Sequence, residues 1–151
     1  MLLAVVVAVL AGAWVAYVHL WKHGGGKPVA WRDLSAELGP LRFPRATFRV
    51  FLRREKLVKY LDAVMPGDAP SPPPIDYAHR KAVLIAAGPR SSTGYVLHVD
   101  HVTAERSRVV VYVRERTPTL ATRVAERVTY PYRLITIPKT SKPTTLVFLG
   151  R

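Results

Sequence analysis

The sequence predicts an α+β fold in which an N-terminal membrane helix precedes a mostly antiparallel, β-sandwich-like domain with one helix. Three observations support this expectation. Met1 to Val18 contains no ionisable side chain except that of Tyr17. One later segment, Glu55 to Met65, carries apolar residues at helical spacing. About six short segments with strand patterning, most of them after Lys81, are separated by turn residues.

The apolar run from Met1 to Trp21 has the length and composition of a membrane-spanning helix. About 20 apolar residues in a helix rise roughly 30 Å, which is the thickness of a bilayer's hydrocarbon core. Trp14, Tyr17 and Trp21 lie towards one end of the run, where amphipathic rings prefer the headgroup level. We therefore expect an uncleaved signal anchor that holds a single-pass protein in the cell membrane, with its domain outside the cytoplasm.

Alternatives stay open for this segment and for its orientation. Ala11-Gly12-Ala13 fits the small-x-small pattern of a cleaved signal peptide, and a buried helix of a soluble domain is a third interpretation. Lys22, Lys27 and Arg32 follow the run and nothing basic precedes it, so the positive-inside rule places the C-terminal part in the cytoplasm. A start upstream of Met1 would reverse that argument.

The rest of the chain divides into a linker and one domain. His23 to Pro28, with three consecutive glycines, is expected to be a flexible exit from the membrane helix. We assign residues 1–21 to the anchor, 22–40 to a juxtamembrane linker and 41–151 to a β-rich domain, which is long enough for a single core. The chain has no cysteine, so disulfides, thiolate zinc sites and cysteine nucleophiles are excluded.

The first half of the domain is expected to hold one strand and one helix. Leu34 to Leu38 forms a short helical turn, Thr47 to Leu52 alternates as a strand does, and Glu55 to Met65 forms the helix. Gly67 to Pro74 is rich in proline and is expected to be an extended connector. The residues expected to face the core are Phe48, Val50 and Leu52 on the strand and Leu57, Leu61 and Val64 on the helix.

From Lys81 onward the pattern is that of β-structure. Ala82 to Ala87 is apolar at every position, as in a strand covered on both faces. Gly88 to Gly94 has the composition of a loop. Tyr95 to Val102 and Val109 to Arg114 alternate as the two strands of a hairpin. The last two expected strands are Val128 to Ile137 and Thr145 to Leu149.

The formal net charge is +13, which suits three kinds of partner: nucleic acid, an anionic lipid surface and an acidic protein. A solvated, arginine-rich surface without a partner is a fourth interpretation. The densest basic stretch runs from Arg42 to Lys59, but neither an RNA-binding aromatic signature nor zinc-finger spacing is present. We therefore expect no nucleic-acid partner. A basic envelope protein that binds anionic lipid or cell-wall polymer remains the alternative function.

No grouping of side chains has the spacing of an active site. His98 and His101 are expected on opposite faces of one strand, where they could not bind one metal ion without a bulge. Ser91, Ser92 and Thr93 lie in a glycine-containing loop, but a strand follows it, whereas a phosphate cradle leads into a helix. We therefore expect no enzyme activity, no metal and no cofactor.

Several short motifs in the second half of the chain follow the order of a known family. An acidic-aromatic pair opens an apolar strand, and a valine-rich strand with Glu and Pro precedes Tyr-Pro-Tyr and Ile-Pro-Lys. In these motifs the stretch from about Ile75 to Leu149 resembles the C-terminal domain of the bacterial protease-complex subunit PrcB. That resemblance implies a non-catalytic subunit that binds or stabilises a protease. The matching residues are Asp76-Tyr77, Ala82 to Gly88, Ser92-Thr93-Gly94-Tyr95, Val109 to Glu115, Pro118, Tyr130-Pro131-Tyr132 and Ile137-Pro138-Lys139.

One departure from that pattern looks like a different family. Where PrcB-type domains often show Gly-Gly-Tyr, this chain has Thr93-Gly94-Tyr95. Pro89 to Tyr95 is similar to the Asn-Pro-Thr-Thr-Gly-Tyr loop of chagasin-like inhibitors of cysteine peptidases, which implies insertion into a protease cleft. Both resemblances imply protein binding. The residues expected to contact a partner are Arg90, Ser92, Thr93, Gly94, Tyr95, Tyr130 and Tyr132.

A purely structural role for the same residues stays open. Gly94 would then supply a positive φ. Tyr95 shares its parity with Leu97 and Val99, so it would enter the core. Pro131 would mark an edge strand or a turn.

Overall fold

A computed structural model describes residues 26–150 of the chain. The expected membrane anchor, Met1 to Trp21, lies outside these described residues. Within residues 26–150, no helix combines the length and the apolar character needed to span a bilayer. The elements formed there are β1 (Lys27–Pro28), β2 (Arg32–Asp33), α1 (Ser35–Leu38), β3 (Thr47–Phe51), α2 (Arg54–Val64), β4 (Arg80–Ala86), β5 (Val96–Ala104), β6 (Val109–Arg116), β7 (Tyr132–Pro138) and β8 (Thr144–Phe148).

The strands form two four-stranded sheets that pack face to face. Sheet A has the order β1-β5-β6-β8, and sheet B has the order β2-β7-β4-β3. All neighbouring strands are antiparallel except β6 and β8, which are parallel. The expected α+β, sandwich-like architecture is therefore confirmed. The buried residues that the two sheets bring together between them are Val83, Ile85, Leu97, Val102, Val109, Val111, Val113, Ile135 and Ile137.

The other face of sheet B carries the helices. Leu57 and Leu61 of α2 belong to one buried apolar cluster with Leu84 of β4 and Leu134 of β7. The strand β4 is thus covered on both sides. This explains why Ala82 to Ala87 is apolar at every position, and each of these residues is at most 5% exposed.

Residues 27–38, which were expected to lie in a juxtamembrane linker, are part of the folded domain. The short strand β1 pairs with β5, and β2 pairs with β7, so this segment extends one edge of each sheet. Leu34 and Leu38 are each 3% exposed, in the cluster under sheet B. Strands of two residues are too short to show an alternating pattern, and only their pairing partners make them strands.

A β-bulge in β5 changes the expected placement of its histidines. Asp100 is the extra residue, because the register with β6 shifts there. His98 and His101 consequently lie opposite Arg114 and Tyr112, two positions of β6 that share one face. The expectation that the two histidines occupy opposite faces is wrong, since strict alternation holds only in a strand without a bulge.

One expected strand boundary and one expected core residue also differ from the structure. The expected strand from Val128 to Ile137 begins only at Tyr132, because Pro131 has no N–H group to donate to a ladder. Leu52, which was expected on the core side of its strand, is 49% exposed. The reason is that β3 ends at Phe51 and the chain then turns into α2.

Leu61→Ala should lower the free energy of unfolding by about 2–5 kcal/mol, because the side chain is fully buried and its truncation leaves a cavity. Lys59→Ala, on the exposed side of the same helix, is the matched control and should change stability by less than about 0.5 kcal/mol. Urea unfolding followed by circular dichroism measures both variants. Equal effects of the two changes would contradict the packing of α2 against sheet B.

Candidate functional site

Five of the seven expected binding residues, Arg90 and Ser92 to Tyr95, lie on a loop that is hydrogen-bonded to a second loop. The first connects β4 to β5; the second, residues 117–131, connects β6 to β7 and is called the tethered loop below. Arg90 and Thr129 exchange backbone hydrogen bonds at N–O distances of 2.8 and 2.9 Å. The Thr93 N–H donates to the Ala125 carbonyl over 3.1 Å, and the Ala125 N–H donates to the Thr93 hydroxyl over 3.0 Å. The two loops therefore form one surface.

Arg90 is held by a buried carboxylate. Glu115 of β6 is 5% exposed, and both of its oxygens bind Arg90: Nε donates to Oε1, and Nη2 donates to Oε2 over 3.1 Å. The hydrogen bond to Glu115 is the main reason that the pKa of Arg90 is raised above its ordinary value. Because this ion pair joins the β4–β5 loop to sheet A, Arg90 positions that loop.

Gly94 and Ser92 hold the two loops together. Gly94 does not have a positive φ, so the alternative in which it supplies one is wrong. A Cβ at Gly94 would lie 2.5 Å from Cγ1 of Val124 and 2.6 Å from Cβ of Pro118, so only glycine allows this close approach. Ser92 is buried, and its carbonyl accepts a hydrogen bond from the Thr129 hydroxyl over 2.7 Å.

Tyr95 and Tyr130 are partly exposed beside these loops. Tyr95 precedes β5, which begins one residue later than expected, and is half-buried. Tyr130 is also half-buried and lines an open cavity of about 580 Å³. Arg42 and Arg127 line the same cavity. Both tyrosines can therefore present aromatic surface to a partner, with guanidinium groups beside Tyr130.

Tyr132, only two residues after Tyr130, lies inside the domain. Its hydroxyl contacts the carbonyl oxygens of Ser35, at 2.9 Å, and Gly39. Its ring packs edge-on against Phe43, with 5.5 Å between the centroids. Burial raises the pKa of Tyr132 to about 12. The side chain therefore joins β7 to both ends of α1, and its small exposed part lines the same cavity as Tyr130.

The tethered loop exposes apolar residues that were not among the expected binding residues. Leu120 is fully exposed, Val128 is 60% exposed and Val124 is 36% exposed. Arg123 and Arg127 are exposed among them. The signal in the sequence is the recurrence of these apolar residues every four positions, in a segment of which only the last residues, from Val128 onward, were assigned to a strand.

Among residues 26–150, no three His, Cys, Asp or Glu side chains are placed to hold a metal ion together. His98 and His101 share a face because of the bulge, but His101 lies 2.7 Å from the Asp100 carboxylate. It also stacks on Tyr112, with 4.3 Å between the ring centroids.

Residues 81–138 match the family model described as PrcB C-terminal. The match begins in β4 and ends with β7, so it includes the β5–β6 hairpin and both loops of the site. No match was found among the curated proteins or among the solved structures. The resemblance to the PrcB family is confirmed, whereas the resemblance of the β4–β5 loop to chagasin-like inhibitors is not.

Removing one partner of the Arg90–Glu115 pair should cost more than removing both. Arg90→Met leaves the buried Glu115 carboxylate without its cation, so we expect the free energy of unfolding to fall by about 3 kcal/mol. Arg90→Met combined with Glu115→Met removes the uncompensated charge and should be the more stable variant. Chemical denaturation of the parent, both single variants and the double variant gives the coupling energy; purely additive losses would contradict this description of the pair.

Tyr132→Phe should reduce the free energy of unfolding by about 1 kcal/mol at neutral pH, because the hydrogen bonding of the hydroxyl is lost. The pKa of Tyr132 is raised from 10.0 to about 12 in the folded protein, so the contribution of its neutral hydroxyl is complete below pH 10 and is lost as the pH rises through about 12. The stability difference between parent and variant should therefore shrink over that range. Denaturant melts at a series of pH values measure it, and a constant difference would contradict the burial of the hydroxyl.

Proposed function

Because residues 81–138 match the family model described as PrcB C-terminal, we propose that the chain is a non-catalytic, membrane-anchored subunit that binds an exported protease. The family supports an accessory role in a protease complex. In this proposal Met1 to Trp21 is an uncleaved signal anchor, because its apolar length matches a bilayer. The domain then lies outside the cytoplasm at the membrane surface, where it can contact an exported protease.

The exposed apolar side chains of the tethered loop indicate which surface of the domain would bind the protease. Leu120 and Val128 lie in water, and apolar surface of this kind gains free energy when a partner covers it. The loop is also held in place, through its hydrogen bonds to the β4–β5 loop and through the ion pair of Arg90 with sheet A. Little conformational freedom would therefore be lost on binding.

The neighbouring residues suit the same role. Tyr95 and Tyr130 are partly exposed beside the tethered loop, and tyrosine is enriched among residues that dominate binding energy. Arg123 and Arg127 add positive charge at the rim, which favours a partner surface with acidic side chains. In this proposal, five of the residues expected at the site keep the surface in shape, and these are Arg90, Ser92, Thr93, Gly94 and Tyr132.

A photo-crosslinking amino acid at position 120 of the full-length chain should capture a partner polypeptide in the cells that produce the protein. We expect mass spectrometry to identify a partner that carries a protease domain. Leu120→Ser combined with Val128→Ser should reduce the amount of that partner retained on the chain by about tenfold, because two apolar contacts are lost. The thermal midpoint should stay nearly unchanged, since both side chains are exposed.

Leu52→Ser is the matched control, because Leu52 is also an exposed leucine. The pairing of Phe51 with Ala82 places it at the end of β4 opposite the site, so this variant should retain the partner. Crosslinking of equal strength from position 106, in the β5–β6 turn, would overturn the proposal. A captured partner without a protease domain would also overturn it.

A further inference from the structure

The strand β3 is an open edge of sheet B. Thr47–Phe51 pairs with β4 on one side and is the last strand in the order of the sheet. On its other side, alternate backbone N–H and C=O groups point away from the sheet. Such edges pair with other chains unless they are covered, very short or charged. β3 is five residues long, and the charge of its exposed central residue, Arg49, opposes pairing with basic strands but not with acidic ones.

A groove with a cavity volume of about 770 Å³ runs between β3 and α2. Phe48 and Arg49 both line it, although adjacent residues of a strand point to opposite faces. The groove therefore opens onto the edge of the strand rather than onto one face. Its other wall is formed by Tyr60, Ala63 and Val64 of α2. An extended backbone can lie in such a groove beside the unpaired edge.

The groove is basic, and its cations have no described acidic partner. Arg45 and Arg49 line it, and Arg42 and Arg53 continue the series at intervals of three or four residues; all four are exposed. Within residues 26–150, no carboxylate forms an ion pair with any of them. The guanidinium of Arg49 instead lies 4.8 Å from the centre of the Tyr60 ring, a cation–π contact that holds the charge at the edge of the strand.

From these observations we propose that β3 binds an extended, acidic segment of a partner protein as an additional strand of sheet B. The backbone of that segment satisfies the outward N–H and C=O groups of β3. Its carboxylates pair with Arg45 and Arg49, which have no such partner within the described chain. The same positive charge makes the edge selective, since it repels basic segments.

A second copy of this chain does not fit the edge. Pairing two β3 strands about their centres places Arg49 opposite Arg49, and like charges directly opposite each other destabilise a strand pair. An acidic strand turns the same positions into attractive pairs. The occupant is therefore a segment of different sequence, and the binding is independent of the protease-binding surface proposed for the tethered loop.

The test uses the full-length chain and a short, end-blocked peptide in which glutamate and valine alternate. We expect saturable binding by isothermal titration and slower hydrogen exchange of the backbone amides in residues 47–51. The same peptide with alternate backbone nitrogens methylated keeps its charge but loses donors that a new ladder needs. It should bind more weakly and should not protect the β3 amides.

Arg45→Glu combined with Arg49→Glu should weaken peptide binding by about tenfold or more, because two attractive charge pairs become repulsive. Arg106→Glu combined with Arg114→Glu is the matched control, since it makes the same change in net charge at two exposed arginines of the β5–β6 hairpin. It should bind within about twofold of the parent, because distant exposed charges are screened by salt. If the charge-reversed variant does not fold, Arg45→Gln with Arg49→Gln replaces it.

The proposal is overturned if the parent chain does not bind the peptide, or if the methylated peptide protects β3 equally well. Equal weakening by the two double variants would show attraction by net charge alone and would also overturn it.

Vesicles of phosphatidylcholine and phosphatidylserine, and a single-stranded oligonucleotide, are titrated in parallel. If the vesicles or the oligonucleotide slow the hydrogen exchange of the β3 amides and the peptide does not, the groove binds lipid or nucleic acid and the proposal is overturned. Unchanged peptide binding by Leu120→Ser/Val128→Ser distinguishes this groove from the protease-binding surface.

Discussion

The burial of sheet B on both of its faces is the constraint on which the rest of the structure depends. Leu134 and Ile135 are neighbours in β7, yet one is buried under the helices and the other between the sheets. Strands of this kind must be apolar at consecutive positions, and they must be covered from two directions. The α2 helix covers one face, and the β5–β6 hairpin covers the other. Helix and hairpin are therefore positioned relative to each other through β4 and β7.

The same two strands bring the loops of the site together. Ala86, at the end of β4, pairs with Tyr132, at the beginning of β7. The loop that leaves β4 consequently runs beside the loop that enters β7, and the hydrogen bonds between Arg90 and Thr129 continue the pairing beyond the sheet. Glu115 adds an ion pair from sheet A. The proposed protease-binding surface is thus an irregular extension of the β4–β7 ladder, which gives a long loop a defined shape.

The large positive charge is divided between structural and unpaired cations. Arg90 binds a buried carboxylate and supports the loops, whereas Arg45 and Arg49 have no carboxylate partner in the described part of the chain and lie along an open strand edge. Net charge alone does not distinguish these two groups, because it counts a paired and an unpaired guanidinium equally. The position of a cation relative to buried carboxylates decides whether it stabilises the fold or remains available to a partner.

The sequence by itself determined the elements whose burial has a regular period. The α2 helix, the β5–β6 hairpin and the doubly covered β4 could be predicted, because alternation and helical spacing record which positions are buried. The resemblance of residues 81–138 to the PrcB family rests on the order of short motifs and not on this periodicity. Only the tertiary structure decided the pairing of β1 and β2, the bulge at Asp100 and the roles of the site residues. Arg90 meets a carboxylate 25 residues away, and the Tyr132 hydroxyl meets carbonyls more than 90 residues away. A periodic pattern shows that a position is buried, but it does not identify the distant group that the side chain contacts there.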